Sequence, residues 1–325
     1  MNFQSSLFKE ISSEEMSRIF SDQLGEKEIH SMKLLEGGMF NTTYHVTYGT
    51  GKKQAVLRLG PVNRHLLMGF EEHLMEAEAY VCGICRELCI PCSEILAYDV
   101  SKRIIDRDLM IVKYIPSVVM LKAGLGQSEK EGLYKAMGGY LSKLHQTKGK
   151  CFGFVSRIRS GQCFDAWSEA LYYEVNDILY RLEMREAFTK SEAAAVRQLY
   201  RNNQELLDEI KVPYLLHTDL WEGNVLLDEK THEIAAIIDG DRAVFGDIDF
   251  EFSSPWTQNR MLLEGYGMKK EAFMENDRQK RRRLYLLFYA LIETYVGYAE
   301  YHNQEQYREN KRMIMEMMEG EMGGL

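Results

Sequence analysis

Residues 216–227 read Leu216-His217-Thr218-Asp219-Leu220-Trp221-Glu222-Gly223-Asn224-Val225-Leu226-Leu227, and Ile237-Ile238-Asp239 follows shortly after. Phosphoryl transfer needs a group that orients and deprotonates the attacking hydroxyl. It also needs oxygen ligands for the magnesium ions that neutralise the phosphate chain. An Asp, an Asn five positions on and a second Asp fifteen further, behind an apolar strand, supply those parts. The strand-like runs 225–227 and 234–238 predict a hairpin that folds the chain back, so that Asn224 and Asp239 meet at its open end with Asp219 one loop away. Asp also caps turns, so either aspartate alone would support nothing. The joint spacing points to chemistry.

Outward from this stretch the chain divides in two. Residues 32–35, 42–48 and 54–59 carry the β-branched and aromatic alternation of strands. Gly37-Gly38 lies in the first connection and Gly49-Thr50-Gly51 in the second. A helix is expected over 69–88, then strands over 94–99 and 109–114. Ser12-x-x-Glu15 is a capping box that opens a short helix before them. Beyond Pro116 the pattern is mainly helical, with Leu133, Met137, Tyr140, Leu141 and Leu144 on one stripe. Further helices are expected over 164–182, 191–210 and 277–302. The fold class is therefore α+β: residues 1–115 form an antiparallel sheet lobe with one inserted helix, and residues 116–325 a larger, mainly helical lobe.

The quoted loop resembles that of the aminoglycoside phosphotransferase and fructosamine/choline kinase superfamily. There His-Gly-Asp and a following Gly-Asn stand in for the protein-kinase His-Arg-Asp and Asn. Ile238-Asp239-Gly240-Asp241 and Gly246-Asp247 resemble the superfamily's Ile-Asp-Trp-Glu and Gly-Asp-Pro. The similarity runs from about residue 33 to 301. It implies a two-lobed protein-kinase-like fold, with the first lobe binding nucleotide and the second carrying catalysis and acceptor. Asp219 is implied as catalytic base, and Asn224 and Asp239 as Mg2+ ligands, with ATP or GTP as phosphoryl donor. Gly37, Gly38, Asn41 and Thr42 take the place of the phosphate-covering loop. Ala55-Val56-Leu57-Arg58 aligns with Val-Ala-Ile-Lys, which puts Arg58 in the place of the phosphate-binding cation. Its carboxylate partner is expected to be Glu76, with Glu78 as the alternative. Lys113 to Ile115 match the hinge that pairs with adenine. Thr218 for Gly, Gly240 for an aromatic and Glu251 for Asp are the departures from the pattern.

The chain of 325 residues carries a formal net charge of −9, which disfavours nucleic acid and anionic membrane as partners. The run Lys280-Arg281-Arg282-Arg283 reads as a solvated helix face. No leader-like segment or apolar span is seen, so a cytoplasmic location is the default expectation. Cys82, Cys85, Cys89 and Cys92 lack zinc-site spacing, and the first three, at i, i+3 and i+7, read as thiols sharing a buried helix face. Glu222 and Asp241 are the candidate substrate-binding residues, with Asp247, Asp249 and Glu251 adding negative charge, so an amine-bearing small molecule is the expected acceptor. An aminoglycoside kinase and a housekeeping kinase for an amino sugar, choline-like or sugar metabolite are the leading readings. A nucleotide-binding pseudokinase would lack Asp219 or Asp239, and both are present. The expected state is monomer or homodimer.

Overall fold

The computed structural model describes residues 5–35 and 40–322. Gly37 and Gly38 therefore lie outside the described residues. Strands β1 (Ile29–Leu34), β2 (Thr42–Tyr48), β3 (Lys53–Leu59), β4 (Ile95–Asp99) and β5 (Leu109–Lys113) form one antiparallel sheet in the order β1-β2-β3-β5-β4. In β3 the period of two sets the faces. Ala55, Leu57 and Leu59 are fully buried and share a core with Tyr44, Val46 and the helix α1 (Ser13–Leu24), through Met16, Ile19 and Phe20. The Ser12–Glu15 capping box closes the start of α1. Val56 and Arg58 point to the opposite face, where Val56 meets Met75 of helix α2 (Leu74–Glu87).

The helix expected over 69–88 is shorter. Residues Gly69–Glu71 form a separate 3₁₀ turn, and His73, with φ of 62°, breaks the chain into α2. Cys82 and Cys85 are buried on α2 as expected. Cys89 is not: it lies past the helix end with φ of 53° and is exposed. All six cysteines are free thiols. Among the described residues no cysteine belongs to a cluster that could hold a metal ion.

Although α2 belongs to the first 115 residues, most of its apolar face belongs to the second lobe. Ala77, Val81 and Cys85 share a core with Met137, Leu141, Leu215, Val225 and Ile237. That lobe carries two small sheets, with strands β6 (Ser117–Val119), β7 (Gly153–Phe154), β8 (Tyr214–Leu216), β9 (Val225–Asp228), β10 (Ile234–Ile237) and β11 (Val244–Gly246), ordered β10-β9-β6 and β7-β11-β8. Its helices are α3 (Gln127–Leu144), α4 (Val155–Arg159), α5 (Trp167–Met184), α6 (Lys190–Asn202), α7 (Gln204–Leu207), α8 (Ile248–Glu251), α9 (Arg260–Tyr266), α10 (Lys270–Phe273), α11 (Asn276–Tyr295) and α12 (Gln304–Met322). A π turn, Val296–Glu300, ends α11. No helix among the described residues is long and apolar enough to cross a membrane.

The basic run on α11 departs from its sequence reading. Lys280 is exposed beside Asp277, but Arg281 and Arg282 are buried. Arg281 donates to Asp247 Oδ2 at 3.0 Å, Arg282 to Asp249 Oδ1 at 2.7 Å, and Arg278 to both Asp249 oxygens at 2.7 and 3.0 Å. The run is half anchor and half solvated face.

Candidate active site

Hairpin pairing of Val225 with Ile237 and Leu226 with Ala236 brings the two ends of the β9–β10 ribbon level. The Ile238 N–H then donates to the Asn224 carbonyl at 3.0 Å, so Asn224 and Asp239 stand side by side. Asn224 Nδ2 donates to the Asp219 carbonyl (2.8 Å) and to Asp219 Oδ2 (2.9 Å). Both amide hydrogens are thereby used toward Asp219. Asn224 Oδ1 accepts no hydrogen bond among the described residues, and a hard oxygen donor beside the Asp239 carboxylate suits Mg2+. Asp239 sits at φ of 60° and its side chain is 36% exposed.

A buried frame holds the loop that carries Asp219. Glu251 accepts from the His217 N–H at 2.6 Å and from the Thr218 N–H at 3.1 Å. Burial alone would raise Glu251, but His145, His217 and the Thr218 N–H outweigh it and hold the carboxylate below its usual range. His217 is pushed down, first by burial. As a neutral ring its Nε2 donates to the Ile238 carbonyl (3.1 Å), while Nδ1 accepts from the Asp219 N–H (3.3 Å). The replacement of Asp by Glu at 251 thus leaves a working brace. Burial pushes the Asp219 carboxyl up to about 7, Arg242 opposes this, and Asp239 and Asp241 add to it. A carboxylate tuned near neutrality can take a proton from a hydroxyl.

Thr218 occupies a glycine's conformation, with φ of 69°. A β-branched residue there stores about 1–3 kcal/mol of strain. Its hydroxyl donates to the Arg242 carbonyl at 2.9 Å, a bond worth about 1 kcal/mol. Thr218→Gly relieves the strain, loses the bond and adds unfolded-chain freedom worth about 0.4–1 kcal/mol. Its stability is expected to stay within roughly 1.5 kcal/mol of the parent. Thr218→Val keeps the strain without the bond and is expected to melt first. Thermal unfolding of the three proteins gives the order.

Arg58 links the sheet to this loop. Its Nη1 is 2.5 Å from both Glu78 oxygens, and its Nη2 lies 2.7 Å from Asp239 Oδ1 and 3.7 Å from Asp241 Oδ2. The expected partner Glu76 is corrected to Glu78. Residues 76 and 78 differ by about 200° around a helix, and Glu76 instead faces out, 2.7 Å from His73 Nδ1. Burial pushes Glu78 upward against the pull of Arg58, and Asp241 and Asp239 add to the rise. Glu78, Asp239 and Asp241 form the one carboxylate group among the described residues whose oxygens lie within 4.8 Å of one another.

Other expected residues are placed differently. The Thr42 hydroxyl is fully buried away from the cleft, accepting from Arg107 Nη2 at 2.7 Å and donating to the Lys9 carbonyl at 3.1 Å. It braces the sheet, and its side chain does not reach the carboxylates. Asn41 borders a cavity shared with Phe40, Glu71 and Asp241. Lys113 pairs with Glu94 at 2.8 Å through an exposed side chain, whereas the Ile115 N–H has no partner among the described residues and is free to pair with a flat ring edge. Glu222 accepts from Tyr134 at 2.8 Å and from Lys130 at 3.3 Å. Asp247, Asp249 and Glu251 are buried and already partnered, so the acidic mouth expected from their charges is reduced to Glu222. Arg242 was not anticipated. It directly follows the Ile-Asp-Gly-Asp stretch and is the strongest charge opposing Asp219 protonation.

A family model described as "Phosphotransferase enzyme family" matches residues 31–283. No curated protein sequence matches the chain significantly. Among solved structures, the chain is similar to APH(2")-IIa in its ternary complex with streptomycin and ATP, at TM-score 0.63 and 14% identity, over 95% of this chain and 97% of that one. It is similar to the GDP and kanamycin complex of APH(2")-IIIa at TM-score 0.64 and 13% identity, over 94% and 98%. A Thermobifida fusca YX-ER1 protein proposed to be a fructosamine-3-kinase gives TM-score 0.62 and 18% identity, over 91% and 98%. At these identities the likeness shows a shared kinase-like fold.

Proposed function

The chain belongs to the phosphotransferase enzyme family, and from that premise we propose that it moves the γ-phosphate of Mg-ATP to a hydroxyl of an amine-bearing ring compound. Transfer of phosphate to a hydroxyl of a small molecule follows from the family; donor, metal and acceptor are the proposal. The observation that carries it is the convergence of Asp219, Asn224 and Asp239 from a loop and a hairpin, with Arg58 tied to Glu78 above them. Asp219 takes the hydroxyl proton as the oxygen attacks. Asn224 Oδ1 and Asp239 would hold Mg2+, which supplies charge neutralisation along the phosphates when bound. Arg58 serves the phosphates and the Ile115 N–H the base.

The acceptor class is supported by the rim beside Asp219. Trp221 and Trp256 lie with ring centroids 6.2 Å apart, and Trp256 is 58% exposed. Between the loop and α3 stands the Glu222 carboxylate, half of its acceptor capacity taken by Tyr134 and Lys130. Aromatic faces bind the apolar face of a sugar ring or a cation, and the carboxylate suits an ammonium group. Aminoglycosides and fructosamines, named in the similar structures, both have that character. Purified protein with Mg-ATP is expected to phosphorylate a member of a panel of aminoglycosides, amino sugars and aminoalcohols. Trp256→Ala is expected to raise the acceptor KM about tenfold with a smaller change in kcat. Failure to turn over any amine-bearing acceptor, with turnover of neutral polyols, would overturn the acceptor class.

A further inference from the structure

At the π turn that ends α11, Glu300 is completely buried, and among the described residues neither side-chain oxygen has a hydrogen-bond partner in an N–H or hydroxyl group. A lone carboxylate in such a place is very costly, and buried polar groups are nearly always satisfied. The titratable groups that face it are Glu71, Arg242, Glu293, Tyr295 and Tyr301. Glu71 is itself buried, in the turn Gly69–Glu71 that precedes α2. Its Oε1 accepts from Arg242 Nη2 at 2.6 Å and its Oε2 from the Met68 N–H at 3.0 Å. Glu300 lies within hydrogen-bond reach of Glu71, and burial together with the Glu71 charge drives it well above the usual carboxyl range. Arg242 in turn is the strongest charge acting on Asp219.

We propose that Glu300 is a positioning residue for phosphoryl transfer: it stays protonated, donates its hydrogen bond to Glu71, and through Glu71 fixes the position of the Arg242 guanidinium relative to Asp219. Two carboxyl groups that share one proton satisfy each other without a second cation. Glu71 is left with acceptor capacity aimed at Arg242. The C-terminal end of α11, remote in sequence from the catalytic loop, thereby sets the electrostatic setting of the base. The backbone adds to the seat: the Ser6 N–H donates to the Glu300 carbonyl at 3.0 Å, and the Tyr295 hydroxyl donates to the Leu66 carbonyl at 2.6 Å. The end of α11 is therefore joined to the segment that precedes the Gly69–Glu71 turn independently of the carboxyl pair.

The assay arm rests on the kinase reading; the spectroscopic arm does not. In the infrared spectrum at pH 7, subtracting Glu300→Gln from the parent is expected to leave the carbonyl stretch of one protonated carboxylic acid. Absence of that band overturns the proposal whether or not an acceptor is known. In the kinase assay Glu300→Met, similar in size and unable to donate, is expected to lower kcat about tenfold to a hundredfold while the KM for ATP changes by less than about twofold. Glu300→Gln, whose amide donates to Glu71, is expected to restore kcat to within about threefold of the parent. Glu300→Met in an Arg242→Ala background is expected to add no further loss, because both act through one group. A folded Glu300→Met protein with parental kcat, a Gln variant as slow as Met, or additive losses would each overturn it. If the parent turns over no acceptor, the kinase reading fails and the infrared result still decides the carboxyl pair.

Discussion

Asp219→Ala is expected to lower kcat by about 10²–10⁴-fold, the range of a positioned general base, while the affinity for nucleotide stays close to the parent's. The reasoning is geometric. Asp219 is held by Asn224 Nδ2 through bonds of 2.8 and 2.9 Å to its carbonyl and Oδ2, whereas Asp239 is the carboxylate paired with Arg58. In the proposed site the nucleotide would be held by Arg58, the hinge backbone and the metal ligands Asn224 and Asp239, and Asp219 is none of these. Because burial raises Asp219 to about 7, the base must lose its proton before it can work. Activity should therefore climb as pH rises through about 7, and kcat/KM, which reports the free enzyme, should show that acidic limb. The stability contribution has the opposite trend. Asp219 holds its proton more tightly folded than unfolded, so the metal-free protein loses stability as pH rises from 3.8 to about 7. Steady-state kinetics across pH 7 check the activity limb, denaturant melts of the metal-free protein check the stability trend, and calorimetry checks nucleotide affinity for Asp219→Ala. An Asp219→Ala protein with an unchanged rate would move the base elsewhere.

The second large effect falls on stability. Asp249 is 2% exposed in its side chain and lies against Arg278, Arg281 and Arg282 at 2.7, 3.5 and 2.7 Å. Asp249→Ala leaves Arg282 buried without its carboxylate, keeping among the described residues the Phe273 carbonyl and that residue's ring face. Breaking a buried pair on one side costs about 3–5 kcal/mol, a large share of the roughly 5–15 kcal/mol that holds a domain folded. Lys280→Ala, one step away on the same basic run, removes an exposed pair with Asp277 and is expected to change stability by no more than about 0.5 kcal/mol. Denaturant melts of the two variants should differ by several kcal/mol. Equal midpoints would mean that the arginines find water or Asp247 instead, and that the cluster is not structural.

Much of the architecture was written locally. The alternation in Ala55–Leu59, the Ser12–Glu15 capping box and the turn between Leu227 and Ile234 each depend on neighbours a few residues apart, and each formed as expected. The meeting of Asn224 with Asp239 follows from the hairpin alone. What escaped was set at long range. Glu78 rather than Glu76 faces Arg58 because α2 is rotated by its burial against the second lobe, which no local pattern specifies. Glu71 is 171 positions from Arg242, and nothing near either residue announces the other. The basic run was more readable than its charges suggested. The stripe of Tyr285, Phe288 and Ile292 continues back, at helical spacing, through Arg281, and all four are buried. Charge count hid a position that periodicity would have assigned to the interior.

The seating of α2 has a mechanical consequence. Arg58 rides on the sheet, whereas Glu78 rides on a helix cored into the second lobe, and the connector before that helix is pinned to the same lobe. Its Gly69 N–H donates to Asp177 Oδ2 at 2.8 Å, and Ser156 Oγ donates to the Phe70 carbonyl at 2.6 Å. If the sheet swings to admit or release a nucleotide, helix and catalytic loop stay together as the stationary jaw. The Arg58–Glu78 pair is then the latch between the two jaws, and the cation that would steady the phosphates also reports whether the mouth is shut.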